Sequence, residues 1–439
     1  KVKESNFCGK PLRLKTFGFP MVIQFKRNTI AVSFARVLVL LTAACYLVAC
    51  GTQNHTGPME KSEREPMPKT ALGIKFATFN VSMEATNYIG RGVENTSADE
   101  LVSRLAHGDD PQIKNIAEII QRIAPDVILL NEFDYVEDSK NGVGAFIKNY
   151  LNIPQGGATA IDYPYFYYNT VNTGEPSPFD LDRDGHASGV KGDAFGFGYF
   201  PGHYGMVVLS KYPIKKERVR TFQYFKWSDM PGALQPGTET DGLWYTDEEW
   251  MGLRLSSKSH WDLPIEVGSQ TVHLLASHPT PPVFDGPEDR NGKRNHDEIR
   301  FWVDYLSNKK YIYDDAEDFG GLPKDSSFVI AGDLNASALE GSARRDGIAS
   351  LLNHKAVNSM PVPSSLGGKA NKPGNINAKH HTAAWGMRAD YVLPSHAGLK
   401  LINQGVFWPE LGDSLHRLVS KRSTSSDHKL VWIDVELIP

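Results

Sequence analysis

The sequence predicts an α/β domain over residues 72–439, because strand and helix patterns alternate along the chain. A predicted strand at 74–80 is followed by a helix at 111–124 and then by a continuously apolar strand at 126–132. No internal repeat, low-complexity block or composition break divides the rest of the chain. We therefore expect one domain.

The helix at 111–124 carries its own start and stop signals. Asp110 is a suitable N-cap, Pro111 suits the first turn, and Pro125 ends the helix. Four isoleucines follow at helical spacing, at Ile113, Ile116, Ile120 and Ile123. The strand at 126–132 is apolar enough to be buried on both faces.

Five further runs have strand character, at 206–210, 271–277, 327–332, 391–393 and 429–437. Several of them end in polar or ionisable residues. Strand ends that meet at one edge of a sheet are a usual way to build a site from distant parts of a chain. The long stretches 152–205 and 221–262 are rich in glycine, proline and aromatic residues, and we expect them to form loops over that edge.

Charge and cysteine content narrow the function classes. The chain has 439 residues and a formal net charge of −4. Residues 1–49 hold eight Lys/Arg and one acid, which leaves 39 basic and 50 acidic residues, a net −11, for the remainder. This balance argues against a domain that only binds nucleic acid. Because the three cysteines (Cys8, Cys45 and Cys50) all precede residue 51, the domain contains neither a disulfide nor a thiolate zinc site.

The N-terminal segment resembles an export signal. Lys26, Arg27 and Arg36 precede an apolar run that ends in small residues, too short for a confident membrane span. The sequence 47–50 resembles a bacterial lipobox, which implies cleavage before Cys50 and lipidation of its thiol. We expect 1–49 to be upstream segment and lipoprotein signal peptide, and 50–71 to be the lipidated cysteine and a flexible tether. A signal anchor or a buried helix is the alternative.

Polar residues at the predicted strand ends are candidates for chemistry. Hard oxygen ligands from carboxylates and amides suit Mg²⁺ or Mn²⁺, and histidines beside acids suit proton transfer. Each residue alone is also compatible with a turn or a cap. The candidates are Asn80, Glu132, His278, Asp333, Asn335, Asp390, Asp427 and His428.

Taken together and in this order, seven motifs resemble those of the endonuclease/exonuclease/phosphatase superfamily. They are Phe79-Asn80-Val81, Leu130-Asn131-Glu132, the run 204–214, Ser277-His278, 332–335, Ala389-Asp390-Tyr391 and Ser426-Asp427-His428. The resemblance implies a four-layer α-β-β-α sandwich, in which two packed mixed sheets are flanked by helices. It also implies a site at one end of the sandwich.

The resemblance also implies roles for single residues. Glu132 is the main metal ligand, with Asn80 and Asp427 close to the metal, and the expected ion is Mg²⁺ or Mn²⁺. Asp333 orients or deprotonates the attacking water, and Asn335 orients the phosphate. His428 contacts the phosphate and is held in place by Asp390. His278 is a second phosphate contact or a general acid, and Tyr204 is a substrate contact.

Two other features have open interpretations. Arg290, Arg294 and Arg300 either grip substrate phosphate or belong to a solvated helix start. The run 180–185 has the alternating acids and sixth glycine of a calcium loop, but Lys191 stands at the twelfth position, so a complete EF-hand is excluded. A looser Ca²⁺ site at Asp180, Asp182 and Asp184, completed by Asp193, competes with a plain polar turn.

Three functions are compatible with these observations. The first is a metal-dependent hydrolase of phosphate mono- or diesters, anchored to a bacterial membrane at the outer membrane, periplasmic face or cell surface. The second is a secreted nuclease for which DNA or RNA is the substrate. The third is a non-catalytic surface lipoprotein, disfavoured because every motif position has a chemically competent residue. No obligate protein partner is evident.

Overall fold

Two main sheets and a short ribbon organise the computed structural model, which describes residues 73–93 and 95–438. The strands are β1 Gly73–Met83, β2 Val127–Phe133, β3 Tyr165–Tyr168, β4 Met206–Ser210, β5 Arg220–Thr221, β6 Gly237–Thr238, β7 Gly242–Leu243, β8 His260–Val267, β9 Gln270–Ser277, β10 Phe328–Asp333, β11 Asp390–Pro394, β12 Leu399–Val406 and β13 Val431–Leu437.

Both main sheets are mixed. The six-stranded sheet has the order β12-β13-β1-β2-β4-β3, in which β1 and β2 are parallel and the other pairs antiparallel. The five-stranded sheet has the order β11-β10-β9-β8-β5, in which β9 and β10 are parallel and the other pairs antiparallel. Strands β6 and β7 form the separate ribbon.

Helices lie between these strands in the sequence. The α-helices are α1 Ala85–Ile89, α2 Asp99–His107, α3 Pro111–Ile123, α4 Val143–Phe146, α5 Asp247–Gly252, α6 Arg290–Leu306, α7 Arg345–Leu352 and α8 Leu366–Asn371. A π-helical turn at Ile147–Leu151 extends α4, and short 3₁₀ turns occur at Lys216–Arg218, Trp227–Asp229, Ala378–His380, Ser414–Leu418 and Arg422–Thr424.

Side-chain alternation along the strands separates the core into two layers. On β10, Val329 and Ala331 face the core shared with the six-stranded sheet, whereas Phe328 and Ile330 face the core that contains α6 and α7. Strand β9 divides in the same way, with Leu274 inward and Leu275 outward. The isoleucines of α3 pack in the first core. The order helix, sheet, sheet, helix confirms the predicted four-layer sandwich.

The predicted elements are found with small shifts at their ends. The predicted strand at 206–210 coincides with β4, and the predicted helix at 111–124 ends one residue earlier, at Ile123. Strand β8 was not predicted; it begins inside the stretch 221–262, which we expected to be a loop, and contains Pro264. Strand β12 was missed because it is an edge strand with polar residues on its exposed face. The three arginines Arg290, Arg294 and Arg300 all lie within α6.

The export signal, the lipobox and the tether fall on residues 1–72, outside the described residues. All described residues belong to one compact unit. Within them, no helix has both the length and the apolar character needed to cross a membrane.

The N-cap of α3 gives a stability prediction. The Asp110 carboxylate accepts hydrogen bonds from the backbone N–H groups of Gln112 at 2.9 Å and Ile113 at 3.1 Å. Losing such a cap costs roughly 0.5–2 kcal/mol, so we expect Asp110→Ala to lower the free energy of unfolding by that amount in urea titrations. Asp110→Asn keeps an acceptor and should lose much less. Equal losses in the two variants would contradict the cap assignment.

Candidate active site

Six strands bring polar residues to one edge of the sandwich. Asn80 lies in β1, Glu132 lies near the end of β2, and Asp333 ends β10 opposite Asp390, which begins β11. His278 follows β9, and Asp427 and His428 precede β13. We call this group the polar edge; it consists of Asn80, Glu132, His278, Asp333, Asn335, Asp390, Asp427 and His428.

Asp333 lies at the centre of the polar edge and is almost fully buried. Its Oδ2 accepts a hydrogen bond from Asn80 Nδ2 at 3.1 Å, across the interface between the two sheets. The same oxygen lies 3.4 Å from His278 Nε2 and 3.5 Å from His428 Nε2. Asp333 Oδ1 accepts the backbone N–H of Asn335 at 3.0 Å. One carboxylate thus contacts four of the predicted site residues.

His428 is held by Asp390. The Nδ1 atom of His428 lies 3.0 Å and 3.1 Å from the two carboxylate oxygens of Asp390, which also accepts a hydrogen bond from Thr382 Oγ1 at 2.6 Å. Trp385 packs edge-on against the imidazole, with the ring centres 4.9 Å apart. Nδ1 is therefore protonated, and Nε2 points toward Asp333.

The two histidines of the polar edge differ in charge. Burial by itself lowers the pKa of His428, but Asp390 and Asp333 raise it to about 10, so this ring is an imidazolium at neutral pH. Burial lowers the pKa of His278 well below its usual value, and the charges of Lys258 and His428 lower it further. His278 is therefore a neutral imidazole.

Burial also raises the pKa of Asp333, to about 7, with His428 opposing the shift and Asp390 reinforcing it. A carboxylate with a pKa near neutral pH is suited to accept a proton from water. This places a proton acceptor and a cationic hydrogen-bond donor next to each other.

Asn335 follows Asp333 in a strained backbone conformation. Its φ is 52°, a left-handed value that is uncommon outside glycine, and its Nδ2 donates to the carbonyl of Pro279 at 3.1 Å. Glu132 has a similar φ of 55°. Such strain in non-glycine residues concentrates at functional sites, where the surrounding structure enforces it.

The residues predicted to hold a metal fit a hard cation. Among the described residues, the Glu132 carboxylate has neither a hydrogen-bond nor an ion-pair partner, and it is only partly buried. Asn80 and Asp427 add an amide and a carboxylate oxygen, although Asp427 is paired with Arg422 at 3.0 Å. An oxygen-only donor set with one free carboxylate is the kind that Mg²⁺ and Mn²⁺ prefer.

A second set, formed by Asp333, Asp390 and His428, has ligand atoms within 4.8 Å of one another. We favour the Glu132 set as the metal site. Asp390 is already occupied by the hydrogen bonds of His428 and Thr382, and a metal on these atoms would have to break them.

Tyr204 lies near Glu132, the main residue of the favoured metal site. Its ring stacks on His203 with the centres 3.6 Å apart, and its hydroxyl lies 3.3 Å from Thr86 Oγ1. Burial and the charges of Glu84 and Glu132 raise its pKa. The hydroxyl is thus a neutral hydrogen-bond donor near Glu132, and its role as a substrate contact stays a prediction.

The guanidinium groups of the three α6 arginines form no hydrogen bond with a residue of the polar edge within the described part of the chain; each is bonded elsewhere. Arg294 is partly buried and donates to the backbone carbonyls of Leu255 at 2.8 Å and Phe195 at 2.6 Å. Arg300 pairs with Asp304, and Arg290 pairs with Glu288 and lies over the ring of Trp244. Since each guanidinium already has partners, the placement supports the structural interpretation for these residues over the grip on phosphate.

Sequence reasoning missed several residues of the site. Thr382 and Trp385 contact the Asp390–His428 pair, and Arg422 pairs with Asp427. Lys258 and Glu298 lie behind His278. Thr382, Trp385 and Lys258 lie in loops, where no local pattern marks them; a lysine in the Ser-rich segment 256–259 is the one usable signal.

The calcium-like loop brings its acids together. Asp180, Asp182, Asp184 and Asp193 each offer an oxygen within 4.8 Å of the others. However, both Asp193 oxygens accept hydrogen bonds from the loop itself, including the backbone N–H of Leu181 at 2.7 Å. A Ca²⁺ site here stays a prediction.

A family model described as "Endonuclease/Exonuclease/phosphatase family" matches residues 77–428, which is most of the chain. The chain belongs to this family. Its superfamily consists of metal-dependent hydrolases that act on phosphoester bonds, and the predicted family resemblance is confirmed.

Solved structures of this superfamily are similar to the chain over most of its length. An endonuclease/exonuclease/phosphatase from Beutenbergia cavernae has 16% identity and a TM-score of 0.44, and the match covers 83% of this chain and 72% of that one. A beta toxin variant from Staphylococcus aureus with bound magnesium ions has 15% identity, a TM-score of 0.41 and coverage of 84% and 100%. Sphingomyelinase C from Streptomyces griseocarneus has 17% identity, a TM-score of 0.39 and coverage of 84% and 100%. The search of curated proteins found no match.

The Asp390–His428 pair gives a prediction about protonation in the metal-free protein. Because the folded pKa of His428 is raised to about 10, the stability that it contributes is fully present below its unfolded pKa of about 6.5 and is lost as the pH rises through 10. Asp390→Asn removes the adjacent negative charge and should lower the pKa of His428 by about one pH unit or more.

Imidazole NMR titration of both proteins measures this change. The signals of His273, which pairs with Asp262 at 2.6 Å, are an internal control and should be the same in both proteins. An unchanged His428 titration in Asp390→Asn would show that another group sets its charge.

Proposed function

We propose that the chain is a divalent-metal-dependent phosphoesterase that hydrolyses phosphate mono- or diesters by attack of water on phosphorus. The observation that carries this proposal is the contact of one buried carboxylate, Asp333, with Asn80 and with both histidines. This arrangement places a proton acceptor beside a cationic donor, which is the pair that phosphoester hydrolysis needs.

Each residue has a role that its surroundings support. Asp333 takes the proton from the attacking water, because its pKa is raised toward neutral pH. His428 donates its Nε2–H to a phosphate oxygen, and its positive charge balances the negative charge that grows there. Asp390 fixes the ring, and Asn335 and the neutral His278 orient the phosphate. The ester oxygen leaves with the bonding electrons and is protonated by water.

Glu132, Asn80 and Asp427 would hold the divalent cation. A cation bound there neutralises phosphate charge and lowers the pKa of water. The free carboxylate of Glu132 and the oxygen-only donor set support Mg²⁺, with Mn²⁺ as a substitute.

The chain's charge supports a small or lipid-linked phosphate as the substrate. The net charge of −11 after residue 49 is unfavourable for long polyanions. The arginines of α6, which could have formed a basic groove, are occupied by carbonyls and carboxylates. We therefore favour a small ester over DNA or RNA.

Hydrolysis assays of the full chain in detergent test this proposal. The substrates are a chromogenic phosphomonoester, the matching bis-ester, sphingomyelin and plasmid DNA, each with Mg²⁺, Mn²⁺, Ca²⁺ or EDTA. We expect hydrolysis of a small or lipid-linked ester that EDTA abolishes and that Mg²⁺ or Mn²⁺ restores. Cleavage of plasmid DNA in preference to the esters would favour a nuclease.

Glu132→Gln is the matched test of the metal site. The variant keeps the side-chain shape but loses the charge, so its rate should fall to that of the EDTA-treated protein. Asp325→Asn is the control, because this carboxylate is exposed and precedes β10, whose opposite end carries Asp333. A folded, metal-supplied wild-type chain that cleaves nothing would point to a non-catalytic protein.

His428→Ala tests charge stabilisation. Removing a donor that stabilises the transition state usually costs about 100-fold or more in turnover, so we expect at least that loss in kcat. Steady-state kinetics on the best substrate of the panel measure it. A rate close to that of the wild type would refute the role of His428.

We further propose that the chain is exported and lipid-anchored to a bacterial membrane through Cys50. The support is the cationic and apolar segment before the lipobox-like sequence at 47–50. Mass spectrometry of the mature protein should find acyl chains on Cys50 and no residues before it. A mature protein that retains residues 1–49 would contradict the anchor.

A further inference from the structure

Lys258 lies in the loop that leads into β8, a strand that the sequence did not predict. It lies two residues before β8, whose first residue, His260, pairs with Ser277 at the end of β9. His278 follows directly on β9. The segment that carries Lys258 therefore runs beside the segment that carries His278, and Ser257 Oγ donates to the carbonyl of His278 at 3.4 Å.

The side chain of Lys258 is largely buried, and its ammonium group has no protein partner among the described residues. The residue is 5% exposed, and within the described part of the chain it forms no side-chain hydrogen bond or ion pair. Lys429, with 1% exposure, is a useful contrast, because its Nζ donates to the carbonyl of Ser426 at 2.9 Å. Burying an unpaired charge is costly, so a fold that keeps one has a use for it.

The charges around Lys258 belong to the site. Burial lowers the pKa of Lys258, whereas the carboxylates of Glu298, Glu132 and Asp333 oppose that shift and favour the ammonium form. Lys258 in turn lowers the pKa of His278. The ammonium group thus interacts with the predicted metal ligand and with both the acid and the neutral histidine of the proposed reaction.

Glu298 fixes the position of this segment. Its buried carboxylate accepts the backbone N–H of Ser257 at 2.6 Å with one oxygen and that of Thr280 at 2.6 Å with the other. One side chain of α6 therefore ties the residue before Lys258 to the loop after His278. Because both oxygens are used by backbone groups, Glu298 holds the segment and leaves the ammonium group without an acceptor.

We propose that Lys258 is a catalytic residue whose ammonium group contacts the substrate phosphate beside His278, and that Glu298 is a positioning residue for it. This inference rests on the proposed phosphoesterase function and adds to it a second cationic contact, besides His428. A phosphate oxygen is the acceptor that the Lys258 ammonium group lacks in the protein. We therefore expect Lys258 to recognise an anionic phosphoryl group.

Lys258→Met tests the catalytic role in the full chain with Mg²⁺. With bis(p-nitrophenyl) phosphate as the probe, we expect kcat to fall by about 100-fold or more, as for loss of a donor to the transition state. Lys258→Arg should recover only part of the rate, because the guanidinium differs in shape. Addition of ethylammonium to Lys258→Ala should raise its rate in a saturable way.

Stability and binding separate this role from a structural one. Lys258→Met removes an unpaired buried charge, so its Tm should equal or exceed that of the wild type, whereas Lys429→Met loses a hydrogen bond and should have a lower Tm. Calorimetry should show that Lys258→Met binds inorganic phosphate at least about 10-fold more weakly, as expected for a lost charged contact. A lower Tm for Lys258→Met, without amine rescue, would overturn the proposal in favour of a structural lysine.

Glu298→Gln tests the positioning role. The amide keeps one acceptor but cannot accept both backbone N–H groups, so kcat should fall by about 10-fold or more with little change in KM. The decisive measurement is the double variant. If Glu298 acts through Lys258, then Glu298→Gln should reduce kcat much less in the Lys258→Met background than in the wild type. Full additivity of the two losses would overturn the positioning role.

The outcomes distinguish this inference from the proposed function. An active wild-type chain with an equally active Lys258→Met variant would overturn the inference alone. A wild-type chain without EDTA-sensitive hydrolysis would overturn the proposed function. In that case the phosphate calorimetry still decides whether Lys258 binds an anionic phosphoryl group, and equal affinities in the two proteins would reject it.

Discussion

The carboxylate of Asp333 is the interaction on which the polar edge depends. This carboxylate joins the two sheets through its hydrogen bond from Asn80. The backbone N–H of Asp333 adds a second link by donating to Asn131 Oδ1 at 3.2 Å. Both histidines lie within 3.5 Å of the same oxygen. The packing of the sandwich and the geometry of the site are therefore set by the same contacts, and a shift between the sheets would separate the proton acceptor from its neighbours.

Burying so many charges at one edge requires compensation. His428 is positively charged and lies between two carboxylates, Asp333 and Asp390, so each charge reduces the cost of burying the others. Glu132 is the exception, because it has no cationic partner within hydrogen-bond distance among the described residues. Its free carboxylate and its left-handed backbone are both unfavourable in isolation, which is the usual condition of a residue kept for binding.

Helix α6 supports the site from behind. Arg294, Asn295 and Glu298 use their side chains to hold backbone groups: Arg294 the segment 254–256, Asn295 the carbonyls of Thr280 and Leu334, and Glu298 the N–H groups of Ser257 and Thr280. The loops that carry Lys258, His278 and Asn335 are thus fixed by one rigid element. Arg294, which the sequence suggested as a contact for substrate phosphate, is part of this support.

The sequence by itself determined the family, the sandwich and all eight residues of the polar edge. Buried strands such as 126–132 and 206–210 carry local patterns strong enough to predict, and motif residues at their ends mark where the strands meet. Only the tertiary structure decided what surrounds those residues. Strand β8 contains a proline and follows an irregular stretch, so neither Lys258 nor its place beside His278 has a local signature. The charge state of His278 was undecided for the same physical reason: its pKa depends on burial and on neighbours that are distant in the chain, such as Lys258 and His428.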